Sequence, residues 1–190
     1  MISSSIKRVS ALASDYTQGH FGADRKIGVV LKEVPDLTLC QVAAWPDNLT
    51  TVSAKTAEAI GVEAAPDPGR AVWTGNHVLL RVEPLKFWIT GISVPQLPST
   101  EGTVLDLSHS RTHVRVTGPQ AQILLNRHLP LDLRNQSFVP GSVASTAFNH
   151  VGITLWRSEI GFELFLPRGF ALSLWELLRQ SAAQFGYEVA

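Results

Sequence analysis

The strongest constraint on how this chain can fold is a repeated order of elements on either side of one stretch, SVPQLPSTEG (93–102). Rich in Pro, Ser and Gly, that stretch suits neither a helix nor a central strand and reads as a linker between two halves. Before it, KIGVVLKEV (26–34) and LTLCQVAAW (37–45) are β-type runs separated by Pro35 and Asp36, which predicts a hairpin or neighbouring strands. NLTTVSAKTAEAIGV then predicts a helix with Thr50 or Thr51 as N-cap and Gly61 at its stop. The loop EAAPDPGR (63–70) follows, because Pro66 and Pro68 remove donors and force extended backbone before them. Three extended runs complete this half: AVWTG, NHVLLRVEP and LKFWITG, with Val72, Val78, Leu80 and Val82 expected on one side of a sheet.

The second half repeats the order. TVLDLSHS (103–110) and THVRVTG (112–118) read as strands, PQAQILLNRHL (119–129) as a helix, SVASTAFNHVGITLWR and GFELFLP as further strands, and about 169 to 185 as a last helix. The fold expected is α+β: two fused βαβ-type halves, 27–92 and 103–190, with antiparallel sheets and helices packed on one face, forming one compact unit. Residues 1–26 show no period and read as a polar N-terminal arm that orders only against another body.

Both clear helices carry an apolar face. Pro119 sits where a first-turn proline costs nothing, with Thr117 or Gly118 capping, and Ala121, Leu124, Leu125 and His128 share one side. In the last helix Phe170, Leu174, Leu177, Leu178, Ser181 and Phe185 form the stripe, with Gly186 ending it. Burying five such large side chains contributes on the order of 10 kcal/mol before entropy. Trp175 lies off that stripe, so it either widens the buried face or is offered to a partner.

Composition narrows the function classes. Sixteen basic residues cancel sixteen acidic ones in the 190-residue chain, leaving no field to attract nucleic acid or an anionic membrane surface. Nowhere do about 18 apolar residues run together, so no membrane span is expected, and the start lacks the apolar stretch of a signal peptide. Cys40 is the sole cysteine, which excludes an internal disulfide and points to a reducing compartment, the cytoplasm. Five Trp and eight Phe beside only 17% charged residues supply core, and such rings also mark protein interfaces.

No chemical constellation emerges. The six histidines include no HExxH and no cysteine pair joins them, so zinc has no supporting spacing. His109 and His113 would stand roughly 13 Å apart on a strand. Ser108, His109 and Asp106 are too close in sequence to relay a proton, since strand neighbours point to opposite faces. Neither a Walker loop, nor GxGxxG, nor GxSxG occurs. Asp132, bracketed by Leu131 and Leu133 after a helix end, is the one acid placed for a shifted proton affinity, and it could equally cap a turn. No catalytic, cofactor-binding or metal residue is assigned.

At VLDLSHSRTHVRVTGPQAQILLNRHLPLDL (104–133) the pattern resembles the folate-binding fold of the glycine-cleavage aminomethyltransferase, in which such strands and a Leu-rich helix precede an acid. Over about residues 28 to 189 the chain is similar to the gamma-subunit family of heterotetrameric sarcosine oxidase, through KFWIT (86–90) and above all HVGITLWRSEIGFELFLPRGFALSLWELL (150–178). The resemblance implies a non-catalytic structural subunit, docked by its aromatic surface on alpha and beta subunits. Those partners would hold FAD, FMN and NAD, handle tetrahydrofolate, and oxidise sarcosine to glycine. It places Asp132 where the aminomethyltransferase has its functional acid; because RNQSFVPGSVASTAF departs from that family's strand pair, Asp132 is read as holding a turn. The alternatives are a free-standing folate-binding protein or one-carbon transferase, and the equivalent subunit of a related N-methyl amino acid dehydrogenase. Alone, the chain is expected to expose apolar interface, with self-association as the outcome.

Overall fold

Strand β8 (Arg111–Thr117) shows how the layers arise. Val114 and Val116 are fully buried on one face, while Arg111, His113 and Arg115 alternate onto the other. An apolar face must meet helices and a polar face must meet something that can satisfy it. In this computed structural model, which describes residues 9–23, 26–92 and 96–190, both demands are met by stacking two sheets between helices. Expectations falling on 1–8 and 24–25 of the arm, and on 93–95 of the linker, lie outside the described residues.

One sheet has five strands in the order β4 (Ala71–Thr74), β5 (His77–Glu83), β6 (Lys86–Thr90), β3 (Leu39–Ala44), β7 (Gly102–Asp106). The other has seven: β1 (Gly19–Phe21), β12 (Tyr187–Val189), β2 (Val29–Glu33), β8, β11 (Phe162–Pro167), β10 (Val151–Arg157), β9 (Val143–Phe148). All pairings are antiparallel except that of β12 with β2. Helix α1 (Leu49–Ile60) covers the outer face of the five-stranded sheet through Val52 and Ile60, against Val42, Leu79, Phe87 and Ile89. Helices α2 (Ala121–Leu125) and α3 (Ala171–Ala182) cover the outer face of the seven-stranded sheet. Each sheet thus carries its helices on a single face. Between the sheets lies a smaller apolar cluster that includes Leu39, Leu80, Trp88, Trp156 and Phe165.

The strands cross the 93–102 division in both directions. β2 joins the seven-stranded sheet, between β12 and β8, while β7 pairs with β3 in the five-stranded one. β2 and β3 therefore form neither a hairpin nor neighbouring strands. Val29 and Leu31 face the α3 layer, and the chain crosses to the other sheet through 34–38, with Asp36 at φ 53. Val72 also departs from expectation. The two-residue β4–β5 turn pairs it with Leu79, so it faces α1, whereas Val78, Leu80 and Val82 face the second sheet.

The helices follow local chemistry with shifted ends. α1 starts after a 3₁₀ turn (Pro46–Asn48), so Asn48 rather than Thr50 or Thr51 is the N-cap, and it makes no side-chain cap bond. Gly61 closes it at φ 74, a left-handed position that costs other residues a steric clash. α2 is one regular turn, shorter than the stretch 119–129, and continues as looser turns to His128. Gly118, at φ 103, passes so close to β2 that a Cβ would stand 2.6 Å from the Gly28 carbonyl oxygen.

In α3 the buried side is Ala171, Leu174, Trp175, Leu178 and Ala182, so the stripe is centred on Trp175 while Phe170 is 54% exposed. The arm explains the rotation. Leu12 is fully buried in the same core, and Tyr16 stacks on Trp175 with ring centroids 5.4 Å apart. The Tyr16 hydroxyl donates to the Ala190 carbonyl at 2.6 Å and accepts from the Glu33 amide at 3.0 Å. The described arm orders against its own chain, not only against another body.

Truncating Leu178 to Ala should cost about 2–5 kcal/mol of folding free energy, against under about 1 for Phe170→Ala, with half-buried Leu177 falling between. Urea titrations followed by Trp fluorescence check the ranking; equal losses at 170 and 178 would place the wrong face inward.

Candidate functional site

Sheet stacking buries one carboxylate completely. Glu163 on β11 is 0% exposed and points between the sheets from the second position of an otherwise apolar strand, FELFLP. Its direct cross-strand partner on β8 is Arg115, and two pairs along, on the same face, stand Phe165 and His113. Arg115 Nε donates to Glu163 Oε1 at 2.7 Å, and the Ser158 hydroxyl to the same oxygen at 2.9 Å. His113 Nε2 lies 2.7 Å from Oε2, donating with that nitrogen protonated. The imidazole is fixed by stacking on Phe165 at 4.6 Å. Burial pushes the Glu163 carboxyl up, but hydrogen bonds and charge from His113 and then Arg115 outweigh it and hold the group below its ordinary value.

Beside this cluster a cleft of about 510 Å³ opens between the sheets, where 34–38 and the β4–β5 turn meet β8 and β10. Trp73 and Trp156 form one wall, with centroids 6.1 Å apart and planes at 54°. His113 and Arg115 line it as well, opposite Asn76 and Asp36. Glu163 neutralises Arg115 here and Asp36 adds a carboxylate, so the cleft offers aromatic surface and hydrogen bonding without an unpaired cation.

The sequence candidates disperse. Asp132 is exposed and its carboxylate is filled by Arg134, through the backbone amide at 3.1 Å and Nε and Nη2 of the side chain, and by the Ser137 hydroxyl at 2.7 Å. Hydrogen bonds from Arg134 and Ser137 hold it well below the usual carboxylate range. It ties a turn. His113 is buried in the Glu163 cluster, whereas His109 is exposed beyond the end of β7. Ser108 bonds the backbone of Leu39 and its own amide bonds Asp106 Oδ1, so these neighbours form turn structure and no relay. His128 stacks on Phe148 at 4.8 Å and meets the Ser181 hydroxyl at 2.8 Å. Burial, with the charge of Asp106 adding, pushes the Cys40 thiol up to about 11. No group of His, Cys, Asp or Glu among the described residues could hold a metal ion.

Sequence reasoning passed over Glu163. A signal was there: a lone acid inside GFELFLP, and His and Arg at alternate positions of THVRVTG. Two strands each placing charge on an inner face can coexist only if the charges meet.

No family model matches the chain. It is 29% identical to sarcosine oxidase subunit gamma of Arthrobacter sp. over 177 residues, 88% of this chain and 85% of that protein. It is also 29% identical to the subunit gamma of Corynebacterium sp. (strain P-1), over 87% of this chain and 84% of that one. Among solved structures it matches a chain of the heterotetrameric sarcosine oxidase from Corynebacterium sp. U-96, with a TM-score of 0.77 and 25% identity, covering 94% of this chain and 96% of that one. The glycine cleavage system aminomethyltransferase T from Bartonella henselae shares the fold, with a TM-score of 0.53 and 18% identity over 84% of this chain and 50% of that chain. The chain is thus similar over most of its length to sarcosine oxidase gamma subunits, and its fold is aminomethyltransferase-like, as the resemblance implied.

Three outcomes test these assignments. Glu163→Gln should cost about 3 kcal/mol near neutral pH, because His113 then meets an amide that cannot accept as the carboxylate did. A carboxyl held low stabilises the fold above its ordinary value of 4.5 and withdraws that support as pH falls through its lower folded value. Wild-type stability should therefore drop below pH 4.5 more steeply than that of the variant. Cys40 should react with a thiol reagent at the rate of unfolding; prompt labelling of native protein would contradict its burial.

Proposed function

We propose that this chain is the non-catalytic, gamma-type structural subunit of a heterotetrameric, flavin-dependent sarcosine oxidase, working in the cytoplasm with alpha and beta subunits. On this reading the partners hold FAD, FMN and NAD and pass the one-carbon unit to tetrahydrofolate, while this chain contributes architecture. The observation that carries it is a match over most of both chains, in sequence to named gamma subunits and in structure to a chain of the heterotetramer. No described helix is long and apolar enough to cross a membrane, which agrees with an assembly away from the bilayer.

The physics of the chain supports the same reading. Glu163 and Asp132 are occupied by partners from their own chain, and a group so occupied is poorly placed to exchange protons with a substrate. Large apolar side chains remain outside: Trp45, Leu105, Ile160 and Phe170 are each 45 to 62% exposed. Rings and branched chains left in water fit a subunit surface closed by association.

Co-expression with alpha and beta subunits tests the proposal directly. The expected outcome is a yellow complex that retains this chain through size exclusion and oxidises sarcosine. A complex that assembles and turns over equally well without the chain would refute it.

A further inference from the structure

A second inter-sheet cleft, of about 440 Å³, lies on the far side of the central apolar cluster, between β3, β5 and β6 of one sheet and β8, β9 and β10 of the other. Its character differs from that of the cleft beside Glu163. Arg111 sits over the face of Trp88, 5.6 Å from the ring centroid. Its Nη1 reaches only the carbonyl and hydroxyl of Ser110, at 3.2 and 3.4 Å, and it pairs with no carboxylate among the described residues. Glu83 is the acid on this wall, and Lys86 holds it at 2.8 Å. The guanidinium is therefore an uncompensated charge in a half-desolvated place, and burial lowers its proton affinity without removing its charge.

Donors converge around it. Trp88 Nε1 donates to Gln41 Oε1 at 3.1 Å, and an indole N–H can only donate, so Gln41 must turn its oxygen there and leave its amide N–H groups over. Those groups meet no acceptor among the described residues, and Gln41 lines the cleft. The hydroxyl-bearing Thr154 lines it from β10.

Gly152 supplies the independent observation. It stands inside β10 opposite Ala147, with no positive φ, and a Cβ built on it meets nothing within 4 Å. Neither backbone conformation nor crowding requires glycine there, and glycine weakens a strand. Its effect is to keep the cleft open, since Gly152 is one of the lining residues.

We propose that this cleft binds a small organic carboxylate, its anion gripped by Arg111 and the Gln41 amide, and its apolar body seated over Trp88 toward the open space at Gly152. An arginine resting over an aromatic ring presents a fork that loses less freedom on binding, and a charge-assisted bidentate pair inside a partly dry cleft is among the stronger polar contacts a protein makes. The cleft beside Glu163 lacks that uncompensated cation.

The probe is benzoate, titrated calorimetrically into the purified full chain, with benzamide as the uncharged analogue. Benzoate should bind saturably, and both benzamide and the Arg111→Gln variant should show affinity lower by about ten-fold or more. Gly152→Val should remove binding while leaving the melting temperature equal or higher, because a β-branched residue favours the strand and its Cβ enters empty space. This variant decides the matter even if Arg111→Gln fails to fold. Absence of saturable binding at concentrations on the order of 10 mM, or unchanged affinity in folded Gly152→Val, would overturn the proposal.

Discussion

The arrangement of this chain depends on one buried carboxylate. Glu163 sits where two sheets meet, with no exposure, and an ion in that position is tolerated only when its oxygens are filled. Three donors from β8 and the turn before β11 fill them: Arg115, His113 and Ser158. The requirement sets the register of β8 against β11, because a shift by one residue would turn Arg115 and His113 to the helix side and bring Val114 and Val116 into their place. It also explains why the layer between the sheets is partly polar, while the core under α2 and α3 is extensive.

Much of this was legible in the chain. The strands from β4 to β6 and from β8 to β11, the presence of α1 with its end at Gly61, and the presence of α3 follow from alternation, turn residues and helical spacing, all local signals. What local signals do not carry is which sheet a strand joins. β2 and β3 are separated by a turn that would suit a hairpin, yet their apolar faces belong to different layers, and only long-range pairing with β8 and β12 decides it. The arm was illegible for a similar reason: two anchors, Leu12 and Tyr16, hold an irregular segment that has no period to detect. Phe170 and Trp175 exchanged roles because Tyr16, distant in sequence, completes the box around the indole.

The candidate site divides along the same line. Asp132 attracted notice because its neighbours are apolar, but Arg134 two residues on captures it locally. Glu163 shows its nature only when paired with a strand some fifty residues away. A chain similar to sarcosine oxidase gamma subunits that buries Glu163 against its own donors, and leaves aromatic and branched side chains outside, fits a part shaped for assembly.

The placement of β12 sets an order of events. This strand, formed by 187–189, is wedged between β1 and β2, and β1 touches the sheet through β12 alone. During translation the ribosome releases β1 first and β12 much later, so the earliest strand has no dock until the latest emerges. Nascent 19–21 must wait unpaired beside a half-built edge, and the Tyr16 hydroxyl meets its Ala190 acceptor only after β12 has emerged. Non-local closure of this kind makes folding slow relative to helical proteins of equal length, and it leaves the exposed flank of β2 as the surface a chaperone would need to shield.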